Sequence, residues 1–179
     1  MRAIAWLMLL VISPWASAQS DAQQWPTQDG PVTVVWENPD DYRDVKAASG
    51  RQDRYENHVF ATLGKQFQKS LGPLLNDDEK LVITVSNLDL AGDVRPSFGA
   101  TTNDIRIVKS VYPPRISFRW SLLDGSGNEV EGDRVELKDL GFERGPATAR
   151  FNNEPLKYEL AMIERWVRDE VPPVLAARR

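Results

Sequence analysis

The chain of 179 residues contains no cysteine at all. That single absence excludes structural disulfides, a thiol nucleophile, cysteine-ligated zinc and anchoring through a lipidated cysteine. Histidine is nearly absent too: His58 is the only one. A nucleophile–base pair built on imidazole therefore has one residue to draw on, and a histidine metal cluster has too few. Beyond the first dozen residues no apolar run approaches the length of a membrane-spanning helix. Charge of one sign is also missing in bulk. With 22 basic and 26 acidic residues the formal net charge is −4, spread without long runs, which argues against nucleic acid as a partner.

What is present begins with a basic start at Arg2, a short apolar run (AIAWLMLLVI) and the small-residue stretch SPWASA. This is the pattern of a secretory signal over residues 1–18, with cleavage after Ala18. An exported chain with no disulfide holds itself together by packing, which suits the bacterial periplasm. Residues 19–31 (QSDAQQWPTQDGP) are polar and aperiodic and predict a flexible leader with Trp25 as its one anchor. Residues 32–171 predict a single domain, and residues 172–179 a frayed tail.

Within the domain, Val32–Trp36 reads as a strand ended by Asn38–Pro39. Arg51–Leu71 predicts an amphipathic helix, since Tyr55, Val59, Leu63, Phe67 and Leu71 recur every four residues and Gly72–Pro73 follows. Ser49 with Gln52 three residues on resembles a capping box. Lys80–Ser86 then alternates as a strand, which makes this a right-handed β-α-β unit. After Ser86 the apolar phase slips to Leu88 and Leu90. Either a bulge near Ser86–Asn87 turns Asp89 to the face opposite those leucines, or the strand stops at Ser86 and a turn follows. Ala91–Asn103 predicts a loop and Ile105–Val111 a strand.

Arg115–Leu122 is a strand with Ile116, Phe118, Trp120 and Leu122 on one face and Arg115, Ser117, Arg119 and Ser121 on the other. Asp124–Gly127 forms a hairpin loop, and Glu129–Leu137 returns. Asn153 is placed to cap a last helix striped by Leu156, Leu160, Ile163, Val167 and Val171, which Pro172–Pro173 should end. The expected fold class is α+β: a two-layer sandwich, β-α-β-β-β-α, with about five mostly antiparallel strands and two long helices on one face.

Three segments, VSNLDLAGD (85–93), DIRIVKSVYPPRI (104–116) and KYELAMIERW (157–166), resemble the bacterial family catalogued as domain of unknown function 3016. The resemblance runs from about Val32 to Val171. It implies a small exported protein of Gram-negative bacteria and carries no activity, substrate or catalytic residue.

The residues themselves offer few constellations with a mechanism. His58 flanks the apolar stripe of its helix and reads as a surface residue. Ser126 sits in a hairpin turn rather than a nucleophile elbow. The stretch DGSGNEVE lacks the glycine and glutamate a calcium loop needs, having Glu129 sixth and Val135 twelfth. The aromatics Trp36, Phe118, Trp120 and Trp166 read as core sooner than as a ligand pocket.

Asp89, Asp93 and Asp104, with Arg95 and Arg106, form the candidate binding set. Such carboxylates serve as acid and base for glycoside hydrolysis, hold a hard cation with loop carbonyls or, more simply, form ion pairs and backbone caps at a strand rim. Arg106, Arg115 and Arg119 with Glu136 predict a charged outer sheet face. No cofactor and no metal site is expected. The leading function is a non-enzymatic binding or accessory module of the cell envelope, its candidate partner an envelope protein or glycan. A carboxylate-dependent hydrolase working through Asp89 and Asp93 is the alternative.

Overall fold

A computed structural model of the chain describes residues 30–97 and 103–176. The signal sequence, most of the leader, residues 98–102 of the expected loop and residues 177–179 of the tail lie outside the described residues.

The fold is α+β. Strand β1 (Val32–Trp36) is followed by helix α1 (Gln52–Leu71), then β2 (Lys80–Asp89). Next come two short strands, β3 (Asp93–Arg95) and β4 (Ile105–Ile107), and the long hairpin β5 (Arg115–Leu123) and β6 (Glu129–Lys138). A one-turn helix, α2 (Pro146–Arg150), precedes the long helix α3 (Lys157–Ala176).

The main sheet has four strands in the order β1-β2-β5-β6. Strand β1 pairs with β2 in parallel across α1, whereas β2–β5 and β5–β6 are antiparallel. Strands β3 and β4 form a separate antiparallel ribbon, so the expectation of five strands in one sheet is corrected. The ribbon also occupies part of what reads in sequence as a plain loop, and only Ile105–Ile107 of the expected strand to Val111 is extended in a ladder. Three-residue strands are too short to show alternation, and this is why periodicity misses them.

The alternation of β5 is as the sequence predicts: Ile116, Phe118, Trp120 and Leu122 are buried. They meet α1 and α3 on one face. Phe67 of α1, Phe118 of β5 and Trp166 of α3 make three mutual edge-to-face contacts, with centroids 4.9–6.4 Å apart. Trp36 stacks on Phe60 at 4.7 Å further along. Each of these side chains contributes about 1.5–3 kcal/mol by leaving water.

Two terminus signals work differently from expectation. Helix α1 has Arg51 at its N-cap, with no side-chain cap bond from Ser49. Gln52 instead reaches back to Ala47 N–H and Val45 O, tying the preceding loop to the helix. Helix α3 begins at Lys157 rather than after Asn153, and it continues through Pro172–Pro173 to Ala176. A proline pair keeps helical φ and costs backbone hydrogen bonds, so it weakens a helix end without having to terminate it. The Asp124 hairpin is as expected: its carboxylate accepts the N–H groups of Ser126 and Asn128, and Gly127 supplies φ +82°.

Candidate functional site

The phase slip in β2 is a bulge. Val85 pairs with Phe118 and Asn87 with Ser117, leaving Ser86 as the extra residue. Leu88 and Leu90 thereby stay with the core while Asp89 turns outward at the sheet rim. There it lies between Arg43, through a parallel bridge, and Arg115, its antiparallel partner. Arg115 Nε stands 3.9 Å from Asp89 Oδ2. Burial pushes the Asp89 carboxyl above the usual carboxylate range, and the nearby Asp44 carboxylate adds to this. Arg115, Arg43 and Arg106 pull the other way and only partly offset it.

Asp44 was not legible as a site residue. It adopts a left-handed backbone (φ +55°), tolerated by Asp better than by most side chains, and its carboxyl is also raised, by burial and then by Asp93.

Arg106 sits beneath this cluster, half-buried, with three hydrogen bonds to the backbone. It donates to Ala91 O (3.2 Å), Asp44 O (2.6 Å) and Lys46 O (3.0 Å). The N–H of the same Ala91 is held by Glu159 Oε1 of α3 at 2.7 Å. Glu159 is 3% exposed, and desolvation raises its pKa against the lowering effects of the Ala91 bond and Arg106. Ala91 is thus gripped on both peptide edges where the chain leaves β2. Gly92 follows with φ +91°, and a Cβ there would lie 2.8 Å from Ile107 O, so only glycine lets the two ribbon strands close. Glu159 could have been found from sequence. It falls three residues after Leu156 and four before Ile163, on the buried stripe, where a carboxylate needs a partner.

Beyond that base the ribbon is exposed. Asp93 pairs with Arg95 at 2.6 Å, and Arg95 donates to the Tyr112 hydroxyl at 2.6 Å. Asp104 stands 4.0 Å from Lys46 Nζ. Around them Ile105, Val108 and Val111 are 47%, 39% and 70% exposed. The five candidate residues therefore divide: Asp93, Arg95 and Asp104 lie on the ribbon surface, while Asp89 and Arg106 belong to its base.

The outer sheet face also differs in part from expectation. Arg115, Ser117 and Arg119 point away from the helices, and Glu136 stands opposite Ser117. Arg106 is not among them, being on the separate ribbon. Arg119 faces Arg134 and pairs with Glu129, passing over Gly132, where a Cβ would lie 2.7 Å from Glu129 Oε1 and 2.8 Å from Trp120 O. This face holds a shallow groove of about 360 Å³ floored by Thr84, Ser86, Ser117 and Ser121.

Among the described residues no group of three or more His, Asp or Glu is placed to hold a metal ion, and no helix is long and apolar enough to cross a membrane. His58 is exposed on α1.

The structure is thus an α+β domain whose irregular feature is a clamped two-stranded ribbon. The chain belongs to the family described as protein of unknown function, DUF3016, whose family model matches residues 30–169. Among curated proteins none matches the chain. Among solved structures it is similar to a minor lipoprotein from Acinetobacter baumannii, 14% identical, covering 66% of this chain and 87% of that one. The TM-score of 0.33 is too low for that likeness to bear on fold or function.

Proposed function

We propose that the protein is a non-enzymatic binding module of the bacterial cell envelope. In this reading it is exported to the periplasm through residues 1–18 and meets an envelope protein or glycan with its β3–β4 ribbon. The observation that carries the reading is the ribbon's composition set against its anchoring. Ile105, Val108 and Val111 are exposed beside Arg95 and Tyr112, a mix typical of interfaces, on a ribbon whose base is locked by Arg106, Glu159 and Gly92. A surface held rigid in advance loses little entropy on binding.

The test is in-cell photo-cross-linking from position 111, comparing the wild-type ribbon with an Arg95→Ala/Val108→Glu variant shown by circular dichroism to be folded. One specific adduct, lost in the variant, is the expected result. Absence of any adduct from the ribbon, with export confirmed, sinks the protein-binding form of the reading, and failure to retain envelope glycans on immobilised protein sinks the glycan form.

A second reading is favoured by one observation. Asp89 and Asp44 are neighbouring carboxyls, both raised, as an acid catalyst requires. A carboxylate-dependent hydrolase would work through Asp89, and its turnover of envelope glycans would vanish in a folded Asp89→Asn variant.

A further inference from the structure

At the end of β2 opposite the ribbon, the layers between α1, α3 and the sheet do not close completely. They leave a cavity of about 80 Å³ walled by Leu81, Trp120, Val135 and Trp166, with Asp133 and Glu170 also in its lining. Trp120 and Trp166 are 9% and 5% exposed, whereas both acidic residues are exposed, so the apolar walls lie inside and the carboxylates stand at the opening. Among the described residues no lysine or arginine lines it. Along α3, Arg165 is engaged by Asp139 at 3.0 Å, and Arg168 by Asp169. Asp133 accepts the N–H of Arg134, and among the described residues neither Asp133 nor Glu170 makes an ion pair.

We infer that this cavity is a binding site for a short-chain primary alkylammonium. Size sets the apolar half of the ligand: a cavity of roughly 150 Å³ accommodates benzene, so about half that volume admits a chain of about two carbons and excludes rings, butyl and longer chains. Charge sets the other half. Two carboxylates that make no ion pair among the described residues repel an anionic head group and attract an ammonium at the opening, while the buried indoles line the alkyl chain. The register explains how the site arises. Asp133 lies directly across from Trp120, so the inward face of β6 brings a carboxylate to the edge of the same layer that buries the tryptophan. The ribbon has no part in this site, so either can fail without the other.

The experiment is a titration followed by the indole N–H resonances of Trp120 and Trp166, using ethylammonium, ethanol and propionate as probes. Saturable shifts of both indoles with ethylammonium, about tenfold weaker binding of ethanol, and none of propionate are expected. In an Asp133→Asn/Glu170→Gln variant, whose changes are at exposed positions, ethylammonium should bind no better than ethanol. Equal binding of ethylammonium and ethanol to the wild type, undiminished binding by the double variant, or no saturable shift each overturns the assignment. Filling the cavity with Val135→Phe should abolish the shifts in a protein of unchanged circular dichroism. Shifts that persist there would place the ligand elsewhere and overturn it as well.

Discussion

The two ends of β2 use charge in opposite ways. At the ribbon end, Arg106 and Glu159 are drawn beneath the surface and their hydrogen bonds go to main-chain atoms of Ala91, Asp44 and Lys46. At the other end, Asp133 and Glu170 stay at the opening of an apolar cavity and, among the described residues, make no ion pair. The difference teaches how to separate structural from recognisable charge. An arginine whose donors are satisfied by carbonyls has little left for a ligand, however conspicuous it is in sequence. A carboxylate without a partner beside buried aromatic walls retains its whole field for one. By this measure Arg106 is a fastener of the ribbon, and the proposed binding reading then rests on Asp93, Arg95 and the exposed aliphatics around them.

Three perturbations sharpen that contrast. The largest effect is expected at the cavity end, where Trp166→Ala removes the side chain that joins Phe67, Phe118 and the cavity wall. It should cost about 4 kcal/mol of unfolding free energy, measured by urea denaturation, because the void adds to the lost transfer energy. At the ribbon end, Arg106→Met should cost about 3 kcal/mol despite the good match in size. It leaves three carbonyls without their donor and Glu159 without its nearest cation. A loss below about 0.5 kcal/mol would show that the guanidinium is free for a ligand after all, and the comparison between the two ends would break.

The smallest effect is a change of slope. Glu159 is raised in the folded state by burial, so the folded protein binds its proton more tightly than the unfolded chain does. That contribution to stability is fully present below the carboxyl's unfolded pKa. It is lost as pH rises through the folded pKa, once the buried carboxyl must ionise. Glu159→Gln keeps an acceptor for Ala91 N–H and removes the titration. The variant should therefore gain on the wild type as pH is raised from 4 to 8, seen as a flatter plot of Tm against pH. Parallel plots would mean that Arg106 compensates the carboxylate completely.

Much of the architecture was legible because it rests on local period. Four-residue spacing marked α1 and the apolar stripe of α3. Two-residue spacing marked β5 and both faces of it, and the slip after Ser86 allowed the bulge that turns Asp89 outward. The ends of helices were less legible, since Gln52 bonds backward to Val45 O and Pro172–Pro173 lie inside α3. A cap signal states only what a residue can do, and the surrounding chain decides which partner it meets.

The candidate site was legible in composition and not in role. Asp89, Asp93, Arg95, Asp104 and Arg106 do gather at one end of the domain, but sequence could not sort them into ribbon surface and ribbon base. It also passed over Asp44 and Tyr112, which arrive from other segments. By itself, then, the sequence determined the α+β class, the faces of its long elements and the exclusion of cysteine chemistry, because each follows from residue type or near-neighbour spacing. Only the tertiary structure decided the pairing of β3 with β4, the grip of Arg106 and Glu159 on Ala91, and the cavity between Trp120 and Trp166. Those depend on residues 10 to 68 positions apart being brought within hydrogen-bond reach, and on how completely three layers fill the space between them. Chain-local patterns carry no record of either.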